Sequence, residues 1–432
     1  MGLSSFFEFE KYGTDLKTEV LAGITTFMTM AYIVFVNPQI LSTTGMDFGA
    51  VMVATCVSAA IATLIMGIYA KYPFALAPGM GLNAYFTYGV CLGMKIPWQV
   101  ALGAVFISGV IFIILTLTRI RTWIFNVIPN AIKYGTAVGI GLFIAFIGLK
   151  TAGIVVPHKA TMVTLGNLKS PQVLLALFGI FLTSILVSRN VIGGILLGIL
   201  ITSFLGMILG VSKFPEGIVS MPPSISPTFL KLDIKGALNL GLVTIVLTFL
   251  YVDMFDTLGT LSGLASQGGY LDKQGRLPRV EKALMSDAVG TVVGSLFGTS
   301  TVTTYIESAS GIAQGGRTGL VAVVVAILFL LSLFFYPIVK AIPPYATASA
   351  LVIVGALMIK AIKNIDFEDF TELIPAFITL LTIPLTFSIA NGLALGFISY
   401  AIIKPLTGRA RDVHWLVYVL AVIFALRFIY LG

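Results

Sequence analysis

The sequence predicts an all-α polytopic membrane protein with about fourteen transmembrane segments in two inverted repeats of seven. Hydrophobic residues make up 58% of its 432 residues and charged residues 10%, whereas a soluble domain carries about 25% charged residues. One apolar stretch after another reaches the roughly 20 residues that a spanning helix needs. Because seven is odd, the second set of segments enters the membrane from the opposite side, as in many secondary transporters.

Residues 1–20 mix charged and aromatic side chains and lack a signal-peptide pattern, so we expect an amphipathic helix at the membrane interface. Segments 1 to 7 are expected near residues 17–41, 48–70, 74–93, 97–118, 131–151, 170–188 and 191–210. Segments 8 to 14 are expected near residues 237–263, 283–298, 300–314, 318–340, 345–362, 369–386 and 389–405. A last apolar stretch, 413–431, is either a further span or lies against the membrane.

The distribution of charge predicts a multi-pass protein of the cell membrane with a cytoplasmic N-terminus. More Lys and Arg residues lie on the loops that this orientation places inside, as the positive-inside rule requires. The net charge of +8 is explained in this way and not by nucleic-acid binding. Cys56 and Cys91 lie in apolar stretches and are expected to be core residues, with no metal site. The chain has no GxxxxGK[ST] motif, which argues against an ATP-driven pump.

Segment 3 contains "YPFALAPGMGLNAYFTYGV", in which Pro78, Gly79 and Gly81 stand close together. Proline removes a backbone donor and glycine permits unusual backbone conformations. Irregular backbone at membrane depth persists only where protein or a water-filled cavity satisfies it. The sequence therefore predicts a broken segment, with Asn83 near the break.

Segment 10 contains "GTSTVTTYIESASGIAQGG". Residues 299–305, which include Thr304 and Tyr305, are rich in β-branched side chains and predict a short strand. A half-helix is expected to follow, with Glu307 in its first turn. Broken segments at corresponding places in two repeats indicate a binding site at the middle of the membrane. The alternative is that both are glycine-rich faces for helix packing.

Four acidic residues fall inside predicted segments: Asp253, Asp256, Asp287 and Glu307. A charge at the bilayer centre costs about 2.5–3.5 kcal/mol, and no basic residue is near any of them in sequence. Carboxyl groups at this depth can exchange protons near neutral pH, as a proton-coupled carrier requires.

The four acids differ in their expected roles. Glu307 and Asp256, which is three residues before Gly259, are the candidates to face a cavity. Asp253 either takes part in coupling or bonds to backbone or a neighbouring Thr. Asp287, among small residues, is expected to hold two helices together more than to touch a ligand. No catalytic triad or metal-ligand cluster appears, so an enzyme is poorly supported.

Three stretches together carry a family resemblance: "APGMGLNAYF", "DMFDTLGTL" and "GTSTVTTYIESASGIAQGGRTGL". They resemble signature segments of the AzgA-like purine permeases, a branch of the nucleobase–cation symporter-2 (nucleobase/ascorbate transporter) family. The resemblance covers nearly the whole chain. It implies fourteen segments in two inverted repeats, with a strand and a half-helix in each of segments 3 and 10.

The resemblance also implies a core domain of residues 1–118 and 237–342 and a gate domain of residues 119–236 and 343–432. The base would bind between segments 3, 8 and 10. By the match of motifs, Asp256 takes the position of a segment-8 Glu, Glu307 that of the segment-10 acid, and Asp287 that of a segment-9 Asp. Asp in place of Glu in segment 8, and Thr260 where the uracil branch has His, leave the coupling route open.

The expected function is therefore proton-coupled uptake of adenine, guanine or hypoxanthine. The expected substrate-binding residues are Asp256, Glu307, Tyr305, Thr304, Gly79, Gly81 and Asn83. No cofactor is expected besides the coupling proton, and the expected partners are the purine, the lipid bilayer and a second copy of the chain. The alternatives are a xanthine, uracil or urate carrier of the same architecture, a sulfate or bicarbonate transporter of a related type, and a channel.

Overall fold

The computed structural model describes residues 2–118, 120–238, 243–273 and 276–430, so residues 239–242 of the predicted segment 8 and residue 431 lie outside the described residues. The helices of the first half are α1 Leu3–Phe6, α2 Phe9–Tyr12, α3 Leu16–Met30, α4 Ile33–Ser42, α5 Phe48–Ile65, α6 Met80–Ala84, α7 Trp98–Leu117, α8 Ile120–Val127, α9 Asn130–Thr151, α10 Pro171–Ser188 and α11 Gly194–Ile208. Those of the second half are α12 Ile234–Ala237, α13 Val243–Gly268, α14 Val280–Phe297, α15 Ser308–Ala313, α16 Gly319–Ser332, α17 Tyr336–Ala341, α18 Pro344–Met358, α19 Phe370–Thr386, α20 Ile389–Leu406 and α21 Trp415–Tyr430. The strands are β1 Leu76–Pro78, β2 Val155–His158, β3 Met162–Leu165 and β4 Val302–Thr304.

The membrane-spanning elements confirm the predicted all-α class. Within the described ranges, nine helices are long and apolar enough to cross a bilayer, and α11, α19 and most of α21 form shorter apolar helices. Wider π-helical turns, Met66–Ala70 and Tyr85–Gly93, extend α5 and α6. The last helix, α21, packs against α20.

Three local features differ from the sequence expectation. The N-terminal residues form two short helices, α1 and α2, and not one amphipathic helix, because Glu8 between them adopts left-handed backbone at φ 59°. Gly13, at φ 60°, ends α2. Segment 1 is broken at residues 31–32 into α3 and α4. The residues between the predicted segments 5 and 6, 152–169, contain the β2–β3 hairpin.

The two broken segments meet in an antiparallel strand pair. β1 pairs with β4, with Leu76 opposite Thr304 and Pro78 opposite Val302. The pairing extends beyond both strands, since Tyr305 N donates to Ala75 O at 2.9 Å and Gly79 N to Thr301 O at 3.0 Å. These bonds satisfy backbone that would otherwise be unpaired at membrane depth. The pair therefore joins the two halves of the chain at the centre of the protein.

The spanning helices pack in two groups. In the first group, which we call the core helices, α5 packs against α4, α14 and α16, and α7 packs against α13 and α14. In the second, the gate helices, α9 packs against α18 and α19, and α10 against α11 and α18. Close glycine contacts support the second group: a Cβ on Gly355 would lie 2.4 Å from the Gly141 carbonyl oxygen. Small residues let membrane helices approach in this way.

Candidate functional site

Asp256 and Glu307 lie together beside the β1–β4 pair. Asp256 projects from the middle of α13, next to the hydroxyl of Thr303 on β4, and interacts electrostatically with Glu307. Glu307 immediately precedes α15. Both side chains belong to partly exposed residues. The structure thus brings together two acids that the sequence places 51 residues apart.

Tyr32 orients Glu307. Its hydroxyl donates to Glu307 Oε1 at 2.6 Å, and the Thr29 hydroxyl lies 3.4 Å from the Glu307 carbonyl oxygen. Tyr32 occupies the break between α3 and α4 and is 1% exposed. Sequence reasoning missed this residue, because segment 1 read as one continuous helix; Pro38, inside α4, was the local signal of irregularity.

The residues predicted around the segment 3 break make contacts within the protein. Asn83 is fully buried; its Oδ1 accepts from the Ser300 hydroxyl, and its Nδ2 lies 3.4 Å from Pro78 O. Tyr305 is also buried, and its hydroxyl donates to Pro78 O at 2.5 Å. These bonds fix segments 3 and 10 to each other.

Two glycines of segment 3 allow close approach. A Cβ on Gly79 would lie 2.9 Å from Thr303 Oγ1, and one on Gly81 would lie 2.5 Å from Ile140 Cγ2 of α9. Gly81 is therefore at a contact between core and gate helices. The side chain of Thr304 is buried, and its hydroxyl has no hydrogen-bond partner among the described residues.

The face of α13 that carries Asp256 is exposed from there toward the C-terminal end of that helix. This face carries small exposed residues, Gly259, Ser262, Gly263 and Ser266. A Cβ added to Gly259 would meet no atom within 4 Å, and one on Gly263 would meet only Ile306, at 3.6 Å. Ile306 itself is 48% exposed. Beyond Asp256, the small residues of α13 therefore leave space beside that helix.

Asp287 is held by a buried ion pair. Arg121 Nη2 lies 2.6 Å from Asp287 Oδ2, and both side chains are 0% exposed. Arg121 also donates to Leu284 O at 3.2 Å and lies 4.0 Å from the centre of the Phe112 ring. No basic residue is near Asp287 in sequence, and α8, which the sequence did not predict, brings Arg121 to it. Its expected role of joining helices agrees with this contact.

Asp253 lies deeper than Asp256 and is 0% exposed. The Thr257 hydroxyl is 3.4 Å from Asp253 Oδ1 and 2.5 Å from Asp287 Oδ1. In the part of the chain that the structure describes, Asp253 Oδ2 has no hydrogen-bond partner. One of the roles expected for Asp253 was a bond to backbone or a neighbouring Thr. Its contact with Thr257 is weak, at 3.4 Å.

The exposed pair of acids is suited to a ligand that presents N–H donors. A carboxylate accepts hydrogen bonds through two oxygens, and Tyr32 occupies one oxygen of Glu307. Neither Asp256 nor Glu307 forms a salt bridge with any residue that the structure describes. An anionic ligand would face uncompensated negative charge here.

Comparison with known proteins places the chain among permeases. The family profile described as "Permease family" matches residues 17–395. A permease of Methanocaldococcus jannaschii is 82% identical over 430 residues, which cover 100% of this chain and 99% of that protein. The adenine permease AdeQ of Escherichia coli is 48% identical over 427 residues (99% and 96% covered). The guanine/hypoxanthine permease PbuG of Bacillus subtilis is 44% identical over 440 residues (99% and 100% covered).

Solved structures confirm the fold. The transmembrane domain of the cyanobacterial bicarbonate transporter BicA superposes with a TM-score of 0.66 at 17% identity, covering 88% of this chain and 97% of that domain. At this identity the likeness concerns the fold, which has core and gate helices in both proteins. The chain belongs to the nucleobase/ascorbate permease family.

Proposed function

We propose that the chain takes up purine bases, namely adenine, guanine or hypoxanthine, across the cell membrane in symport with protons. Relatives that share 44–48% of its residues over nearly the whole chain are named as adenine and guanine/hypoxanthine permeases. The observation that carries the proposal is the meeting of Asp256 and Glu307 beside the paired strands of the two broken segments.

A purine base fits the chemistry of this pair. The base is flat, mostly neutral at pH 7, and edged with N–H donors and ring-nitrogen acceptors. Asp256 and the free oxygen of Glu307 would accept from the donor edge. Gly79, Gly81, Thr304 and Tyr305 would shape the surroundings of the base, and Asn83 would keep the two broken segments in register.

In the alternating-access mechanism that we propose, two domains move against each other. We assign residues 1–118 and 237–342 to a core domain and residues 119–236 and 343–432 to a gate domain. The packing of the two groups of helices supports this division. We further propose a cytoplasmic N-terminus and a homodimer, and no cofactor besides the proton.

Two rivals within the same fold are disfavoured. A sulfate or bicarbonate carrier would need cations near the ligand, whereas the site presents two carboxylates, Asp256 and Glu307. A xanthine, uracil or urate carrier is disfavoured by the names of the relatives, which are purine permeases of the adenine and guanine/hypoxanthine type.

The test is uptake of labelled adenine, guanine and hypoxanthine into cells that lack their own purine carriers. We expect saturable accumulation that a protonophore abolishes and that the three purines, but not xanthine, uracil, urate or sulfate, inhibit. Uptake that stays linear in concentration would indicate a channel. Inhibition by uracil or sulfate at concentrations where purines are inactive would overturn the substrate assignment.

A further inference from the structure

Two buried polar atoms near the site lack partners. Within the described ranges, Asp253 Oδ2 and Arg121 Nε are both buried and form no hydrogen bond. Unpaired polar atoms away from water are unfavourable and rarely persist without a reason. One atom is an acceptor and the other a donor, and both belong to residues linked through Asp287 and Thr257.

The number of hydrogen-bond donors decides where the hydrogen atoms lie in this group of four residues. Thr257 has one hydroxyl proton, and its 2.5 Å contact assigns that proton to Asp287 Oδ1. Arg121 compensates Asp287 through a contact of 2.6 Å. An ionised Asp253 would then keep no donor and no cation of its own in a fully buried place. A protonated Asp253 is neutral, and its Oδ1–H can donate to Thr257 Oγ1, 3.4 Å away.

We propose that Asp253 is the residue that carries the coupled proton, and that it is protonated in this arrangement of Asp253, Thr257 and Asp287. This inference rests on the proposed purine–proton symport and names the residue that performs the coupling. Asp256, on the next turn of α13, remains the ligand of the base.

Release of the proton changes a contact between the two groups of helices. An ionised Asp253 would draw the Thr257 hydroxyl and the unpartnered Arg121 Nε toward itself. Arg121 belongs to α8, the short helix between α7 of the core group and α9 of the gate group. The charge on Asp253 would thus favour one position of α8, and α8 connects the core helices to the gate helices.

Other ionisable groups near Asp253 are few. The charged groups that interact with it include Asp287 on α14, Arg121 on α8 and Asp256 on its own helix. α7, β4 and α6, which also touch α13, contain no ionisable residue. The remaining ionisable residues on helices that touch α13 are Glu281 and Lys282 on α14, Lys133, Tyr134 and Lys150 on α9, and Tyr400 and Lys404 on α20.

The test compares Asp253→Asn with wild type in proteoliposomes made from the full chain. Asparagine resembles a protonated aspartate in size and is permanently neutral. We expect the variant to purify folded and to exchange labelled for unlabelled adenine at a rate within about twofold of wild type. We expect it to lose accumulation driven by an imposed pH gradient. Asp256→Asn is the matched control and should lose both exchange and accumulation.

Each other outcome decides against the inference. Accumulation driven by the pH gradient in Asp253→Asn would show that another group carries the proton. Loss of exchange, or failure of this variant to fold, would show that Asp253 is ionised or structural. If wild type itself transports no purine, the proposed function fails before the variant is compared.

Discussion

At the scale of single residues, the bond from Tyr32 to Glu307 determines how the binding carboxylate is presented. The hydroxyl holds Oε1 at 2.6 Å and leaves Oε2 to a ligand. Tyr32 comes from segment 1, so the carboxylate of segment 10 is oriented by an element of the other repeat. Preorganisation of this kind lowers the free energy spent on ordering the site when the ligand binds.

Removal of the Tyr32 hydroxyl is expected to weaken purine binding. A hydrogen bond to a charged group contributes about 1.5–3 kcal/mol, and the lower value applies because Glu307 is partly exposed. Tyr32→Phe should therefore raise the KM for purine uptake roughly tenfold. Tyr251→Phe is the matched control, since the buried Tyr251 hydroxyl has no partner in the described part of the chain. Equal KM values for the two variants would contradict the role of Tyr32.

Loss of the Glu307 carboxylate is expected to abolish uptake. Glu307→Ala removes the acceptor from the exposed pair and leaves the β1–β4 pairing intact, because that pairing uses backbone atoms. Saturable purine uptake should fall to background while the amount of protein in the membrane stays at the wild-type level. Retained saturable uptake would refute the assignment of Glu307 as a ligand.

The sequence predicted the acids of the site but not their partners. Asp256 and Glu307 could be found because a carboxylate inside an apolar stretch is costly wherever it lies. Tyr32 and Arg121 could not, since their bonds to Glu307 and Asp287 cross 275 and 166 residues. A tyrosine in an apolar segment or an arginine at its end gives no sign of such a contact.

At the scale of elements, Gly81 contacts Ile140 and so joins α6 to α9 next to the site. A Cβ at Gly81 would overlap Ile140 Cγ2, at 2.5 Å. Overpacking of this kind costs about 1–3 kcal/mol. Gly81→Ala should therefore lower the melting temperature of the purified protein, whereas Gly259→Ala, whose Cβ meets no atom within 4 Å, should leave it nearly unchanged. An unchanged melting temperature for Gly81→Ala would show that α6 and α9 separate easily.

The breaks in the membrane segments were predictable where the residue types disfavour a continuous helix. Pro78 and its neighbouring glycines marked segment 3, and β-branched residues marked the strand of segment 10. The break at Tyr32, the short helix α8 and the β2–β3 hairpin were missed, because their residues carry ordinary helix or loop propensities and tertiary packing decides their form.

At the scale of the whole molecule, aromatic contacts lie on both sides of the site. Toward the C-terminal end of α13, Tyr270 packs on Tyr12 near the N-terminus. At the far ends of segments 3, 5 and 13, Lys150 Nζ lies 5.8 Å from the centre of the Tyr88 ring and 5.3 Å from that of Phe387. Through Tyr88 these contacts join segment 3 to the gate helix α9.

A cysteine at Gly259 should report the side of the membrane from which the exposed face of α13 is reached. Gly259→Cys places a thiol on that face, while the native Cys56 and Cys91 are buried and serve as an unreactive background. We expect an impermeant thiol reagent to label the variant in inside-out vesicles and not in intact cells, and we expect adenine to slow the labelling. Faster labelling in intact cells would reverse the proposed orientation.

The inverted-repeat topology was predictable from the sequence because it depends on the number of membrane segments in each repeat. Two sets of seven segments require inverted topology, and the observed pairing of segments 3 and 10 agrees with that plan. The residue boundaries of the two moving domains stay predictions. These boundaries depend on which contacts between helices break during transport, and they follow from a comparison of two conformations of the protein.

The β1–β4 pair has a consequence for how the protein is made. The backbone of Leu76–Pro78 finds its partner only when Val302–Thr304 has left the ribosome. Roughly 220 residues separate them, which at about 5–20 residues per second is a delay on the order of ten to forty seconds. During that interval the early insertion intermediate exposes unpaired peptide groups, so a truncated nascent chain should be a client for membrane chaperones and quality-control proteases until the later half arrives.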